Sequence, residues 1–130
     1  MKALIAMPLG AMALVVLALT GVASVATANP SASTGAQTFA QCRACHTLTQ
    51  GGKSVMGPNL HGVFGRRAGS MPGFAYSPAL KGSGLVWDAR TLDAFLAAPT
   101  VKVPGTRMVV KVADPARRAA LIAYLKAETK

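Results

Sequence analysis

Residues 37–46 read Gln-Thr-Phe-Ala-Gln-Cys-Arg-Ala-Cys-His, and the last five, Cys42-Arg43-Ala44-Cys45-His46, decide how the rest of the chain is read. Gln37 to Cys45 carries neither glycine nor proline and reads as a helix. On a helix, positions i and i+3 share a face, so both thiols come to one side and His46, at i+4 from Cys42, joins them. Such a trio suits several chemistries: a thiol–disulfide pair, a zinc site, a structural disulfide, or thioether attachment of a haem with the imidazole on its iron.

The chain on the C-terminal side weighs between them. From Gln50 to Gly84 it is rich in Gly and Pro and reads as one long irregular region. A loop of that length in a small domain needs something large and rigid to wrap. Asp88 then reads as an N-cap, with Leu92, Phe95 and Leu96 on one face of a helix that Pro99 ends. Asp114-Pro115 opens a last helix, with Leu121, Tyr124 and Leu125 at i, i+3, i+4. No segment alternates with period two, so the class is all-α and a thioredoxin-like βαβ setting is missing. A zinc site would need His61 or another residue as a further ligand, and neighbouring Cys45 and His46 point poorly toward one tetrahedral centre. A plain disulfide leaves His46 and the long loops unexplained. One covalent haem c through Cys42 and Cys45, with His46 as proximal ligand, accounts for all of them.

The N-terminal side belongs to targeting. No charged residue lies between Lys2 and Arg43, and residues 3–19 are almost wholly aliphatic. Met1-Lys2, the apolar run and Ala26-Thr27-Ala28 predict an export signal over residues 1–28, cleaved after Ala28; retention as a membrane anchor is the alternative. Residues 29–34 then read as a loose lead-in to a domain at 29–130. The chain has 130 residues, with 14 Lys+Arg against 4 Asp+Glu. These figures exclude a multidomain enzyme and a polytopic membrane protein, and two cysteines exclude a disulfide-stapled miniprotein. A strongly basic exported domain with few aromatics has no evident nucleic-acid readout surface.

A haem held by His46 has a sixth position to close or leave open. Met56, Met71, Met108 and His61 are the candidates. Met108 follows the tight turn Pro104-Gly105-Thr106-Arg107 and precedes the apolar Val109-Val110, a setting that could present a thioether sulfur. Spacing alone does not choose among them.

The chain resembles the class I c-type cytochromes, specifically mitochondrial cytochrome c and its small soluble bacterial relatives. The likeness rests on Cys42-x-x-Cys45-His46, Gly57-Pro58-Asn59-Leu60-His61-Gly62 with Phe64-Gly65-Arg66, Gly73-Phe74 with Tyr76, Trp87, Pro104 to Met108, and Leu121 to Leu125, in order along the mature chain. It implies a fold in which the first and last helices cross through Gly35, Phe39, Leu121 and Tyr124, with long loops around one haem. It further implies Met108 as distal ligand and the Pro58 carbonyl as acceptor for His46 Nδ1–H. Arg66, Tyr76 and Trp87 would bond the propionates, Thr106 a propionate or an internal water, and His61 a loop carbonyl. Two departures make the distal side more apolar: Phe95 stands where the family usually has Tyr, and Leu80 where it has Asn. Val110 likewise replaces a common aromatic.

The resemblance implies a monomeric, periplasmic one-electron carrier, not an enzyme, whose closed iron works by outer-sphere transfer. A five-coordinate haem c peroxidase or gas sensor is the alternative if Met108 is not bound. Arg43, Lys53, Lys102, Arg107 and Lys111 flank the haem-bearing segments and are candidates for docking acidic-surfaced redox proteins. The donor would be a dehydrogenase or cytochrome complex, and the acceptor an oxidase, peroxidase or reaction centre.

Overall fold

The computed structural model describes residues 30–53 and 56–130; the reading of residues 1–28 as an export signal lies outside them. Helix α1 (Pro30–Phe39) tightens into a single 3₁₀ turn (Ala40–Cys42), and α2 (Pro78–Gly82), α3 (Ala89–Ala97), α4 (Pro99–Lys102) and α5 (Pro115–Glu128) follow. Among the described residues the only β pairing is one isolated antiparallel bridge, Arg67 with Val86. The all-α expectation holds.

Several boundaries differ from the sequence reading, each for a local reason. Of the lead-in expected at residues 29–34, residues 30–34 are instead the start of α1. Proline is tolerated in a first helical turn, where its missing N–H has no intrahelical partner to lose. The Ser33 and Thr34 hydroxyls then donate back to the Pro30 carbonyl at 2.9 Å each. The helix expected through Cys45 stops at Phe39. Beyond the 3₁₀ turn, the Cys42 carbonyl still accepts from Cys45 N (3.0 Å) and His46 N (2.9 Å), closing one last turn around the motif. Within the irregular stretch, α2 is an unforeseen helix. Ser77 caps it by accepting from Leu80 N at 3.2 Å, and Pro78 occupies its first position. Pro99 ends α3 but also begins α4, again by sitting at N1.

The two helices read from their caps stand where expected. Asp88 and Thr91 form a reciprocal capping box at the start of α3, and the Asp114 side chain accepts from Arg117 N at 2.7 Å at the start of α5.

The frame is the crossing of α1 over α5, with α3 packed on α5 beside it. The crossing is close because Gly35 has no side chain. A Cβ there would lie 2.6 Å from Tyr124 Cβ and would overlap the Ala120 carbonyl oxygen. Next to it the Phe39 and Tyr124 rings meet with centroids 5.7 Å apart. Phe39, Leu92, Phe95, Leu96, Leu121, Ile122 and Leu125 join Val63, Trp87, Val103 and Val112 in one core. Each such burial contributes roughly 1.5–3 kcal/mol, so helices and loops share a single apolar centre. Trp87 reaches it from the connection between α2 and α3, its ring 5.1 Å from that of Phe95.

Candidate functional site

The Cys42–His46 turn is held by the segment that follows it. Gly57 N donates to the Cys45 carbonyl at 2.9 Å, and Leu60 N to the Thr47 carbonyl at 2.8 Å, which lays residues 57–60 along the motif. His46 Nδ1 then lies 2.7 Å from the Pro58 carbonyl oxygen. A carbonyl oxygen only accepts, so Nδ1 carries the proton and Nε2 keeps its lone pair for a metal. The imidazole is also walled in. A Cβ at position 57 would lie 2.5 Å from His46 Cε1, 2.8 Å from Nδ1 and 2.9 Å from Nε2, so only glycine fits against the ring. Burial pushes the His46 pKa down, opposed by the Pro58 bond, and the neutral ring is the form that ligates.

Asn59 is the hub of this wall, and the sequence reading assigned it no role. It is almost wholly buried. Its Nδ2 donates to Thr47 Oγ1 (2.7 Å) and to the Thr49 carbonyl (2.8 Å), and its Oδ1 accepts from His61 N (2.9 Å). A polar residue between Pro58 and Leu60 in a turn is the signal that could have found it.

Arg66 fastens the far side of the same loop. Its Nη2 donates to the Asn59 carbonyl at 2.9 Å, and its Nη1 to the His61 carbonyl and the Met71 sulfur at 3.0 Å each. Tyr76 is buried, edge-on to Phe74 with centroids 4.9 Å apart. Burial raises its phenol pKa, opposed by a hydrogen bond with the Met71 backbone and by nearby Arg66, and keeps it a neutral O–H donor. The side chains expected at the propionates thus include Arg66 and Tyr76 in one neighbourhood around Met71. Trp87 joins them through the backbone, its N–H on the Arg66 carbonyl at 2.9 Å.

The segment from Val103 to Asp114 forms a strap between α4 and α5. Val103 and Val112 are buried at its two ends. Thr106 is buried between them, and its Oγ1 accepts from Met108 N at 3.4 Å. Arg107 Nη1 donates to the Ala75 carbonyl at 2.9 Å, tying the strap to the loop before α2. The three methionines of this region differ. Met56 is 71% exposed, the Met71 sulfur takes an Arg66 N–H, and Met108 is half-buried against the core. Val109 and Val110, read as an apolar continuation, are exposed at 68% and 47%.

Both cysteines are free and half-buried. Burial, and then neighbouring Cys45, raise the Cys42 thiol pKa. Among the described residues no three His, Cys, Asp or Glu side chains gather as a metal-binding group, which leaves the zinc alternative without a ligand set. Haem fits these residues on the chemistry of the donors. Two unpaired thiols stand beside an imidazole whose Nδ1 proton is committed and whose Nε2 is available. Half-buried Leu60, Phe64, Leu80, Leu85 and Met108 pack against the core and offer apolar surface to a porphyrin.

A C-x-x-C-H turn on an all-α frame of crossing terminal helices, with Met108 on a strap between α4 and α5, is the pattern of a class I c-type cytochrome, and the chain belongs to that family. No family model matches it. It is 43% identical over 106 residues to cytochrome c2 of Blastochloris viridis, covering 80% of this chain and 84% of the relative. It is 49% identical over 92 residues to cytochrome c2 of Rhodomicrobium vannielii, covering 70% and 74%. Among solved structures, cytochrome cH from Methylobacterium extorquens superposes with a TM-score of 0.68 at 47% identity, over 74% of this chain and 97% of that one. The protein is therefore a small electron carrier with one covalent haem c, and not an enzyme.

Proposed function

We propose that His46 and Met108 are the two axial ligands of a haem attached through Cys42 and Cys45, and that residues 29–130 are the mature, monomeric, periplasmic carrier released from a signal at 1–28. The observation that carries the ligand assignment is the contrast among the methionines: only Met108 combines burial against the core with a sulfur outside the Arg66 contact. The haem supplies a one-electron ferric–ferrous couple, which a soft thioether ligand biases toward the ferrous form. Gly57 and Pro58 fix the His46 ring, and the strap fixes Met108, so the chain keeps one ligand geometry in both oxidation states. Arg66, Tyr76 and Trp87 with Thr106 supply donors for the propionates. Apolar Phe95 and Leu80 leave the Met sulfur without the hydroxyl and amide found in many relatives of the family.

Arg43, Lys53, Lys102, Arg107 and Lys111 are all exposed. This supports electrostatic docking to acidic surfaces on donor and acceptor proteins, with encounter rates that salt screening reduces. The test is the visible spectrum of the holoprotein after denaturing removal of loose haem. Retained absorption with the weak red charge-transfer band of sulfur-ligated ferric iron supports the closed carrier. Retained haem without that band removes Met108 from the iron and favours a five-coordinate peroxidase or gas sensor. Electron-transfer rates that stay flat with rising ionic strength would remove the docking claim, and a mature mass that includes residues 1–28 would remove signal cleavage.

A further inference from the structure

Arg118 occupies a position that apolar periodicity reserves for the core. It shares a face of α5 with Leu121, Ile122 and Leu125, at i+3, i+4 and i+7, and is 8% exposed. A buried guanidinium is costly unless its donors find partners, and here Nε and Nη1 both have them. Its Nε donates to Asp93 Oδ1 on α3 at 2.7 Å. Its Nη1 donates to the Val112 carbonyl at 2.9 Å and to the Ala113 carbonyl at 3.0 Å. Val112 N in turn donates to the Leu96 carbonyl at 2.8 Å, one turn beyond Asp93 on the same helix. The C-terminal end of the Met108 strap is thus gripped from both sides: its N–H by α3, its carbonyls by an arginine that α3 itself holds. At its other end, Val103 N bonds the Pro99 carbonyl at 2.8 Å, and between the ends Arg107 makes the bond to Ala75. Met108 and the exposed Val109–Lys111 therefore have their nearest downstream anchor at Val112.

We infer that Arg118 is a positioning residue for Met108: by tying Val112 and Ala113 to α3 it keeps the strap closed over the sixth ligand position, and loosening it opens the iron to outside ligands while the helical frame stays folded. The inference rests on the assignment of Met108 as distal ligand. Its physics is local. Arg118 lies ten residues from Met108 and its hydrogen bonds go to Asp93, Val112 and Ala113, so it holds the carbonyls four and five residues downstream of Met108. A small neutral ligand such as imidazole binds only the open-strap state, so its apparent dissociation constant falls in proportion to the open population. A hydrogen bond from a charged donor shifts such an equilibrium by roughly tenfold or more, and two are lost together.

The experiment uses ferric holoprotein: wild type, Arg118→Gln, Arg118→Lys and Asp93→Asn, with Gly35→Ala as a variant weakened far from the strap. Imidazole binding is titrated. In parallel, guanidinium unfolding is followed by the red sulfur-to-iron band and by far-UV helicity. Arg118→Gln should bind imidazole about tenfold to a hundredfold more tightly than wild type. The gap between band loss and helix loss should widen. Asp93→Asn, which leaves both carbonyl bonds in place, should tighten imidazole less. In Gly35→Ala both midpoints should fall together with the wild-type gap. If Arg118→Gln yields no folded holoprotein, Arg118→Lys, which keeps the charge but not the fork, must still tighten imidazole several-fold. Imidazole affinity within twofold of wild type in both Arg118 variants, or an unchanged gap, overturns the inference. Absence of the red band from wild type overturns the ligand assignment instead, and the inference with it.

Discussion

Gly35 allows a quantitative test of the helix crossing, because local propensity and tertiary packing predict opposite signs there. Replacing glycine by alanine inside a helix contributes about 1 kcal/mol in favour of folding when nothing else changes. At position 35 much else changes. The new Cβ would stand 2.6 Å from Tyr124 Cβ and 3.1 Å from the Ala120 carbonyl carbon, and would overlap the Ala120 oxygen. Ordinary carbon–carbon contact needs about 3.5–4.0 Å, so α1 and α5 must separate by roughly 1 Å. None of the opposing atoms is the end of a flexible side chain, which puts the cost near the top of the overpacking range, about 3 kcal/mol. Against the propensity gain the net loss is about 2 kcal/mol, a fall in melting temperature of roughly 10 °C for a domain of this size. Gly82, at the end of α2, supplies the control. An added Cβ there meets nothing within 4 Å, and its φ lies outside the left-handed region. Gly82→Ala should therefore raise stability by about 0.5 kcal/mol. Guanidinium unfolding of the two holoproteins, followed by far-UV circular dichroism, compares them directly. If Gly35→Ala proves as stable as wild type, the crossing is looser than described and the reasoning fails.

Gly57→Ala should displace the His46 imidazole from the Pro58 carbonyl, lowering the yield of matured holoprotein and shifting its midpoint potential; an unchanged potential and spectrum would mean the ring is not confined by residue 57. Asn59→Leu removes a buried amide that serves Thr47, Thr49 and His61, leaving partners unsatisfied, and should cost roughly 2–4 kcal/mol by chemical denaturation; a loss below 1 kcal/mol would show the loop is held elsewhere. Asp88 carries a pH dependence. The Thr91 backbone and hydroxyl hold its carboxyl below its ordinary value, so the cap stabilises the fold at pH above the unfolded-state pKa and is lost as pH falls through the lower folded-state value. Asp88→Asn, which keeps a capping oxygen that does not titrate, should flatten that acidic limb in melting curves taken from neutral to acid pH.

What the sequence disclosed follows from how far each determinant acts along the chain. The Cys42–His46 motif is five consecutive residues, and the caps at Asp88 and Asp114 act within one turn, so chemistry and helix starts were readable together. Pro99 ends α3 as read, but the helix it opens was not legible, because proline both stops one helix and suits the first position of the next, and only the fold says that a next one exists. Ser77-Pro78 carried the same cap-and-proline signature as Asp114-Pro115 but opens a helix of only five residues, too short a run for periodicity to register. The exposure of Val109 and Val110 was hidden for a different reason. Their neighbours Thr106 and Val112 occupy the buried positions of the strap, and a strap has no fixed period from which to read its faces.

The least legible residues are the two that hold the segments proposed to carry the axial ligands, and they share a physical character. Asn59 holds the His46 side and Arg118 the downstream end of the Met108 side; both are buried, polar and satisfied by backbone groups of irregular chain. Irregular segments cannot satisfy their own carbonyls and N–H groups as a helix does, so a loop that must stay rigid needs donors and acceptors brought from outside. An electron carrier has reason to require that rigidity, because any rearrangement of ligands between oxidation states adds to the barrier for transfer. Apolar packing fixes the helices of this protein but leaves its loops free to slide; a hydrogen-bonding hub fixes register as well as depth. Buried polar side chains aimed at loop backbone are therefore expected wherever this fold carries a ligand on a segment without secondary structure. Substituting them should disturb ligation before it disturbs helicity.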